Sequence, residues 1–595
     1  MSNPSHSLST KPSPSTSEVT HEKMDQPKTP NRKRFWTKVT LITLAILIPI
    51  IILVACLATL LPRKHSQSNS GSSSSSPSSD DQAVAHLDYG SYQGTRLAAS
   101  GVDQYMGVRF AAPPTGNNRW RAPQPPLKFN GTQNATIAQP VCLGVGATPD
   151  PSSSEDCLFA NIFTPSNATS KSKLPVWVYV QGGGYAGDSN ANYNGTQVVQ
   201  TGNIVLVNFN YRVGSWGFLA SEKVRSNGDL NAGLLDQRAA LNWTRNYIEQ
   251  FGGDPNHIVV HGGSAGAGSV AHHLTAYGGR NDNLFVGAIT QSPFYQTEMT
   301  VAELEWQFNL FTADTNCNGT SDVMACLRST NLTILQNADF TSPFPGHQTK
   351  PRHSWGPCVD GDLVPDFPIS LFNQGKFISV PLLVGDEPDE GTLFVPNATT
   401  SADVRTFFNV NYPRLNTTQL DSIITQYPTG VPRPQHAAWF GTAAQAYGES
   451  SLICPGIWMC EAMSKKNSSG VWNYSFNVSA ATDWNDGLGA FHTIDTSAIF
   501  GPDYAGVPTD PSTKSFATTN SDVVPILMDY YLSFVKTLSP NTLKNGTAPV
   551  FENFGQGGGQ NRLRIELDDY EMENVPSALL DNCKFWSGLQ VSMEL

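Results

Sequence analysis

Residues 251–270, FGGDPNHIVVHGGSAGAGSV, constrain this chain more than any other stretch. Ile258 to His261 is a short β-branched run that reads as a strand, and Ala267 to Leu274 is a run of mostly small residues that reads as a helix. Between them stands Gly262-Gly263-Ser264-Ala265-Gly266, the single G-x-S-x-G match in the chain. Strand, tight turn and helix in that order are the context in which such a serine becomes a nucleophile. The neighbours must be small because the turn brings strand and helix together. The turn lifts the hydroxyl out of the sheet and sets it at a helix N-terminus, where developing negative charge is favoured. The competing reading is a glycine-rich loop with an incidental serine, and the motif alone does not dismiss it.

A second element narrows the choice. Leu174 to Val180 is a continuous apolar run, the pattern of a parallel strand buried on both faces. Gly182-Gly183-Gly184 follows almost directly, without the Gly-Lys-Ser/Thr of a phosphate loop. Glycines there let backbone N–H groups turn toward an oxygen without side-chain obstruction. The N–H groups of Gly183, Gly184 and Ala265 together form a candidate oxyanion hole. The later glycine run, Gly555 to Gly559, lacks any such context and reads as a turn.

The N-terminal region has a separate character. Val39 to Leu61 is 23 residues without a charge, enough to span a bilayer as a helix. A leader of 38 residues precedes it, against the short charged start and shorter apolar core of a cleaved signal peptide. That leader carries Lys11, Lys23, Lys28, Arg32, Lys33, Arg34 and Lys38, which assigns residues 1–38 to the cytoplasm as a disordered basic tail. Residues 62–86, with GSSSSSPSSDD, read as a flexible stalk, and 87–595 as the catalytic body. The expectation is a single-pass type II membrane protein with its body in the lumen or outside the cell.

Charge and sequons agree with that. Residues 1–64 hold 9 of the 37 basic residues and 3 of the 49 acidic ones, so the rest carries 28 against 46, a net of −18. An acidic body repels phosphate backbones, which argues against nucleic acid as a partner. With no CxxC and no HExxH, no metal site is expected. Acceptor sequons for N-glycosylation stand at Asn130, Asn134, Asn167, Asn194, Asn318, Asn331, Asn397, Asn416, Asn467, Asn473, Asn477 and Asn545, all beyond the apolar segment. A thirteenth, Asn242, falls in an expected amphipathic helix over Leu235 to Tyr247 and is set aside. Eight of the nine cysteines also lie beyond the segment, an even number in an oxidising compartment.

The serine needs a base, and the base needs an orienting carboxylate. Downstream lies VPLLVGDEPDEGTLF, residues 380–394, offering Asp386, Glu387, Asp389 and Glu390. Spacing alone does not choose among them. Further on, DWNDGLGAFHTIDTSAIFG, residues 483–501, contains His492.

Several motifs together carry a resemblance. GVRFAAPPTGNNRWRAPQPP (107–126), SEDCLFANIFTP (154–165), NYRVGSWGFL (210–219) and the FGGDP…GGSAG block resemble the type-B carboxylesterase family of α/β-hydrolases, which includes lipases and cholinesterases. The fungal members are the most similar, and the likeness runs from about Leu87 to the C-terminus. It implies one large α/β domain of the α/β-hydrolase fold, with a mostly parallel sheet, helices on both faces and a helical region around 300–480. The family's D-E-G-x-x-F aligns on residues 389–394 and selects Glu390, leaving Asp386, Glu387 and Asp389 as expected solvated loop charges. H-x-x-[ED]-x-x-x-x-F-G aligns on His492, Asp495, Phe500 and Gly501. A Ser264, Glu390, His492 triad follows, in the order Ser, acid, His with separations of 126 and 102 residues. The resemblance also implies disulfides Cys142–Cys157, Cys317–Cys326 and Cys454–Cys583. For Cys358, Cys454, Cys460 and Cys583 the sequence by itself permits three connectivities. His261, His272 and His273 read as structural.

The expected activity is carboxylic-ester hydrolysis through an acyl-enzyme, without cofactor, on a small-molecule or lipid ester. Two alternatives accompany it: a lipase or sterol esterase for long acyl chains, and a cholinesterase-like adhesion ectodomain, which the intact triad disfavours. Three departures from the family bear on substrate. Gly263 replaces a common Glu before the serine. The Cys142–Cys157 segment has no Trp to hold a choline by cation–π attraction and is short and polar rather than a long apolar lid. Gln291-Ser292-Pro293-Phe294 replaces Q-S-G, and its Phe294 is a candidate for shaping the acyl pocket.

Overall fold

A computed structural model describes residues 83–187, 193–430, 432–466, 470–506 and 509–595. The expected basic tail, the apolar segment 39–61, most of the stalk and Asn467 lie outside the described residues. Among the described residues no helix is long and apolar enough to cross a membrane.

Eleven strands form the central sheet. In chain order they are β1 (Thr95–Leu97), β2 (Val102–Arg109), β3 (Phe159–Pro165), β4 (Leu174–Val180), β5 (Val205–Phe209), β6 (Gly253–Gly263), β7 (Gly287–Gln291), β8 (Leu382–Asp386), β9 (Val471–Phe476), β10 (Asn561–Glu566) and β11 (Asp569–Asn574). Their spatial order is β11-β10-β9-β8-β7-β6-β4-β5-β3-β2-β1. Every pair from β5 through β4 to β10 is parallel, and the pairs at both edges are antiparallel. The first described strand, Val84–Leu87, pairs with Gly90–Gln93, so regular structure begins inside the segment assigned to the stalk.

The apolar run of β4 explains why the sheet sits in the middle. Successive strand residues point to opposite faces. Val176, Val178 and Val180 join the core on one face, with Leu234 and Leu241 of α1 (Ala232–Tyr247) and Val270 and Leu274 of α2 (Ala265–Gly279). Met459 of α3 (Cys454–Lys466) belongs to the same core. Trp177 and Tyr179 join the opposite core, with Leu527, Tyr531 and Phe534 of α4 (Val523–Thr537). Both faces are covered, which is what a parallel sheet requires. The expected helical region holds helices from Val301–Asp314 to α3, but β8 passes through it to reach the centre of the sheet.

A smaller core packs Trp120 flat against Trp216 with Phe311 at its edge. Here Asp339, fully buried, accepts from Ser215 N at 3.0 Å and ties the 210–219 segment, with its short helix Gly214–Phe218, to the helical region. Arg212, in the same loop, pairs with buried Asp236 of α1 at 2.7 Å.

Disulfides join Cys142 to Cys157, Cys317 to Cys326 and Cys454 to Cys583. Cys358 and Cys460 are free and buried. They pack in different cores, Cys358 in the Trp120 cluster and Cys460 on the buried face of α3.

The sequons separate by burial. Asn130, Asn134, Asn167, Asn318, Asn331, Asn397 and Asn416 are exposed, as is Asn242 within α1. Asn194 and Asn545 are partly exposed. Asn473 overturns its assignment as an acceptor. It lies fully buried in β9, and its Nδ2, the atom that would carry a glycan, donates to Val384 O and Asp386 Oδ2, each at 3.3 Å. Asn477 is half-buried and donates to Glu566 at 3.0 Å.

Candidate active site

Ser264 stands between β6 and α2 with φ 58° and ψ −126°, outside the ordinary helix and strand regions. The turn is held on both sides. Ser264 N donates to Gln291 O at 2.9 Å, and Ser264 O accepts from Gly268 N at 3.0 Å and Phe294 N at 3.2 Å. The small neighbours have a steric cause. A Cβ on Gly262 would lie 2.1 Å from Gly266 O, and one on Gly266 would lie 2.0 Å from Val180 O. Gly182 passes so close that its Cβ would meet Ser264 Cβ at 2.6 Å. Gly183 and Gly184 then take positive φ, 107° and 61°, which brings the loop after β4 over the serine.

β8 and β9 deliver the other two groups. Glu390 opens a 3-10 turn, Glu390–Leu393, just beyond the end of β8 and is fully buried. His492 lies on the loop after β9, and its Nδ1 is hydrogen-bonded to Glu390 Oε2. The other Glu390 oxygen, Oε1, accepts from Glu387 N at 3.2 Å. Phe394 packs edge-on against the His492 ring at 4.9 Å. His492 Nε2 is buried and has no hydrogen-bond partner. Ser264, His492, Gly182, Gly183 and Gly184 all line one cavity of about 380 Å³. No hydrogen bond joins Ser264 to His492.

The remaining acids of the loop correct the expectation of solvated charges. Asp386, Glu387 and Asp389 are all buried. Asp389 pairs with Arg433 and accepts from Ala490 N at 3.1 Å. Asp386 accepts from Asn473, and burial pushes its carboxyl up to about 6. Glu387 accepts from Ser292 Oγ at 2.5 Å. Burial raises its pKa well above the usual range, with Asp495 and Glu390 adding to the effect. Asp495, also fully buried, accepts from Tyr474 Oη at 2.6 Å and from Gln291 Nε2. Glu390 thus sits among other buried carboxyls, with one oxygen on Glu387 N and the other on His492 Nδ1.

Of the other cavity residues only Phe294, the candidate for shaping the acyl pocket, and Phe394, which closes the D-E-G-x-x-F match, carry a sequence signal. Tyr179, Tyr193, Phe294, Phe394 and Tyr504 supply aromatic walls, and Gln181, Arg352 and His353 supply polar ones. Burial holds His353 down to about 3, so it is a neutral imidazole. His261 is likewise neutral, held down to about 3 by burial, and accepts from Trp177 Nε1 at 3.2 Å. His272 and His273 are buried against Glu298 and Gln237 at 2.9 and 2.8 Å.

Comparison with known proteins identifies the relatives of this fold. The crystal structure of Aspergillus niger EstA superposes with a TM-score of 0.84 and 50% sequence identity, over 87% of this chain and all of that one. Lipase 1 of Geotrichum candidum is 34% identical over 55% of this chain and 67% of its own length. Acetylcholinesterase of Bungarus fasciatus is 29% identical over 82% of each chain. The model of the carboxylesterase family matches residues 81–586. The chain therefore belongs to the carboxylesterase family, and it is a carboxylic ester hydrolase with the α/β-hydrolase fold.

Proposed function

We propose that Ser264, His492 and Glu390 act as nucleophile, general base and orienting acid in a two-step hydrolysis through an acyl-enzyme. The observation that carries this reading is His492 itself. Its Nδ1 is engaged by Glu390, while its Nε2 is left without a partner at the edge of the cavity that Ser264 lines. His492 takes the Ser264 proton as the serine oxygen attacks the ester carbonyl. The N–H groups of Gly183, Gly184 and Ala265 hold the oxyanion, and the loss of one such donor costs roughly 2.7–4 kcal/mol. The alcohol leaves with the proton from His492. Water, activated by the same imidazole, then releases the acid and restores the serine.

The cavity lies near the lower end of the ordinary ligand-pocket range of roughly 300–1,000 Å³. Its aromatic walls favour a short or moderate acyl chain over a long one. The charge-free segment 39–61, the basic leader and the exposed sequons support a type II membrane anchor with a glycosylated body outside the cytoplasm.

Turnover of p-nitrophenyl esters from C2 to C16, measured beside Ser264→Ala, tests the reading. Activity that is lost with the alanine and falls with chain length supports it. An optimum at long chains moves the assignment to lipase. A folded protein with no Ser264-dependent turnover overturns the enzyme mechanism in favour of an adhesion role.

A further inference from the structure

We propose that the preferred substrate is an ester bearing a second, free carboxylate, and that Arg352 at the active-site cavity binds it. The proposal rests on the Ser264 hydrolase reading and adds the substrate class to it. Arg352 is the one permanently charged side chain lining the catalytic cavity among the described residues. It has no acidic partner there. Its backbone N donates to Asn411 Oδ1 at 2.8 Å, and a single guanidinium N–H reaches Leu393 O at 3.4 Å. The guanidinium carbon lies 5.9 Å from the centre of the Phe394 ring, the ring that packs on His492. The charge therefore stands one side chain away from the reacting imidazole.

The surroundings match a bound anion. Past Arg352 and Phe394 lies a second hollow of about 720 Å³, whose charged lining is Lys350, Arg352 and Asp403. Asp403 is already committed to the Thr399 and Thr400 N–H groups at 2.9 Å each, where it caps a helix. Lys350 lies 5.4 Å from the centre of the Phe340 ring and has no acidic partner among the described residues. On the other side of the serine, Gly263 offers no carboxylate, and the space beside it is closed, since a Cβ would meet Tyr179 Oη at 2.8 Å. Gln181, only 3% exposed, lines the same cavity with neither amide atom bonded, a second polar group in want of a ligand.

Arg352 at the catalytic cavity and Lys350 beyond it, neither with an acidic partner among the described residues, run against residues 65–595, whose net charge is −18. Arg352 is exposed at the mouth of the cavity, and its guanidinium fork matches a carboxylate with two parallel hydrogen bonds.

Two matched substrate pairs test this on the full chain, with acid release followed by titration. Monoethyl succinate against ethyl butyrate places the charge on the acyl side. 4-Acetoxybenzoate against its methyl ester places it on the alcohol side. In at least one pair, kcat/KM for the anionic ester should exceed that of its neutral partner about tenfold at low salt, and the ratio should shrink as salt is added. Arg352→Gln should cut that ratio about tenfold, and Arg352→Lys should retain part of it. A ratio unchanged in Arg352→Gln, or a wild-type preference for the neutral ester in both pairs, overturns the proposal. Neutral-ester turnover that disappears in Ser264→Ala leaves the hydrolase reading standing in that event. No Ser264-dependent turnover of any of the four esters overturns both.

Discussion

Replacing Glu390 by Gln changes almost no volume yet should nearly abolish turnover, and the structure says why. One carboxylate oxygen accepts from Glu387 N and the other faces His492 Nδ1. An amide in the same place has one oxygen and one NH₂. The backbone N–H of Glu387 cannot accept, so the oxygen must stay with it, and the NH₂ then falls opposite His492 Nδ1. That nitrogen is forced to accept, and the ring proton moves to Nε2, the atom that must take the proton from Ser264. The wrong tautomer in a comparable triad lowers kcat by about 10⁴, equivalent to about 5 kcal/mol in the barrier. KM should change little, because Glu390 is fully buried and does not line the cavity. The assay is steady-state hydrolysis of p-nitrophenyl butyrate at neutral pH, with a melting curve to show that the variant folds. A folded Glu390→Gln enzyme with kcat within about tenfold of wild type would refute both the tautomer argument and the role assigned to Glu390.

Three further outcomes are expected. Burial raises Asp339 from 3.8 to about 7, so the folded state binds its proton more tightly than the unfolded one. Stability from this group is present below about pH 4 and is lost as pH rises to about 7, by about 4 kcal/mol at about 1.4 kcal/mol per pH unit. Asp339→Asn should flatten that part of the curve of melting temperature against pH, measured at equal scan rate, and parallel curves would contradict the assignment. Removing the Cys454–Cys583 disulfide, which closes a separation of 129 residues, should cost about 5 kcal/mol in the loop-entropy account, more than loss of Cys142–Cys157, as chemical denaturation of the paired alanine variants would show. Gly266→Ala places a Cβ 2.0 Å from Val180 O and should prevent a native elbow, which would be visible as lost expression or lost Ser264 labelling by an organophosphonate.

Much of the fold is legible in the sequence because its signals are local. The β4 run and the turn around Ser264 are written in consecutive residues, and so is the glycine loop that approaches the serine. The acidic loop is different. Its charges read as solvated because acids in loops usually are, yet the groups that let Asp386, Glu387 and Asp389 be buried come from distant segments: Asn473, Ser292 and Arg433. The sequon at Asn473 misleads for a related reason. The three-residue sequon says nothing about burial, whereas its place in the apolar run VWNYSF gave a strand signal that outweighs it. Arg352 and His353 lie in a stretch with no periodicity or motif, and only the folded chain brings them to the serine.

The two free thiols bear on how the molecule comes to exist rather than on what it does. Once folded, Cys358 and Cys460 are sealed in separate cores, and burial raises both thiols, so neither offers a thiolate to attack the three finished bridges. Before folding nothing distinguishes them from the other six cysteines of the body. Any early bridge to either one must be undone before its core can close. Maturation is therefore a race between hydrophobic collapse, which hides these two sulfurs, and oxidation, which would trap them. Conditions that let early bridges exchange favour the native set of three.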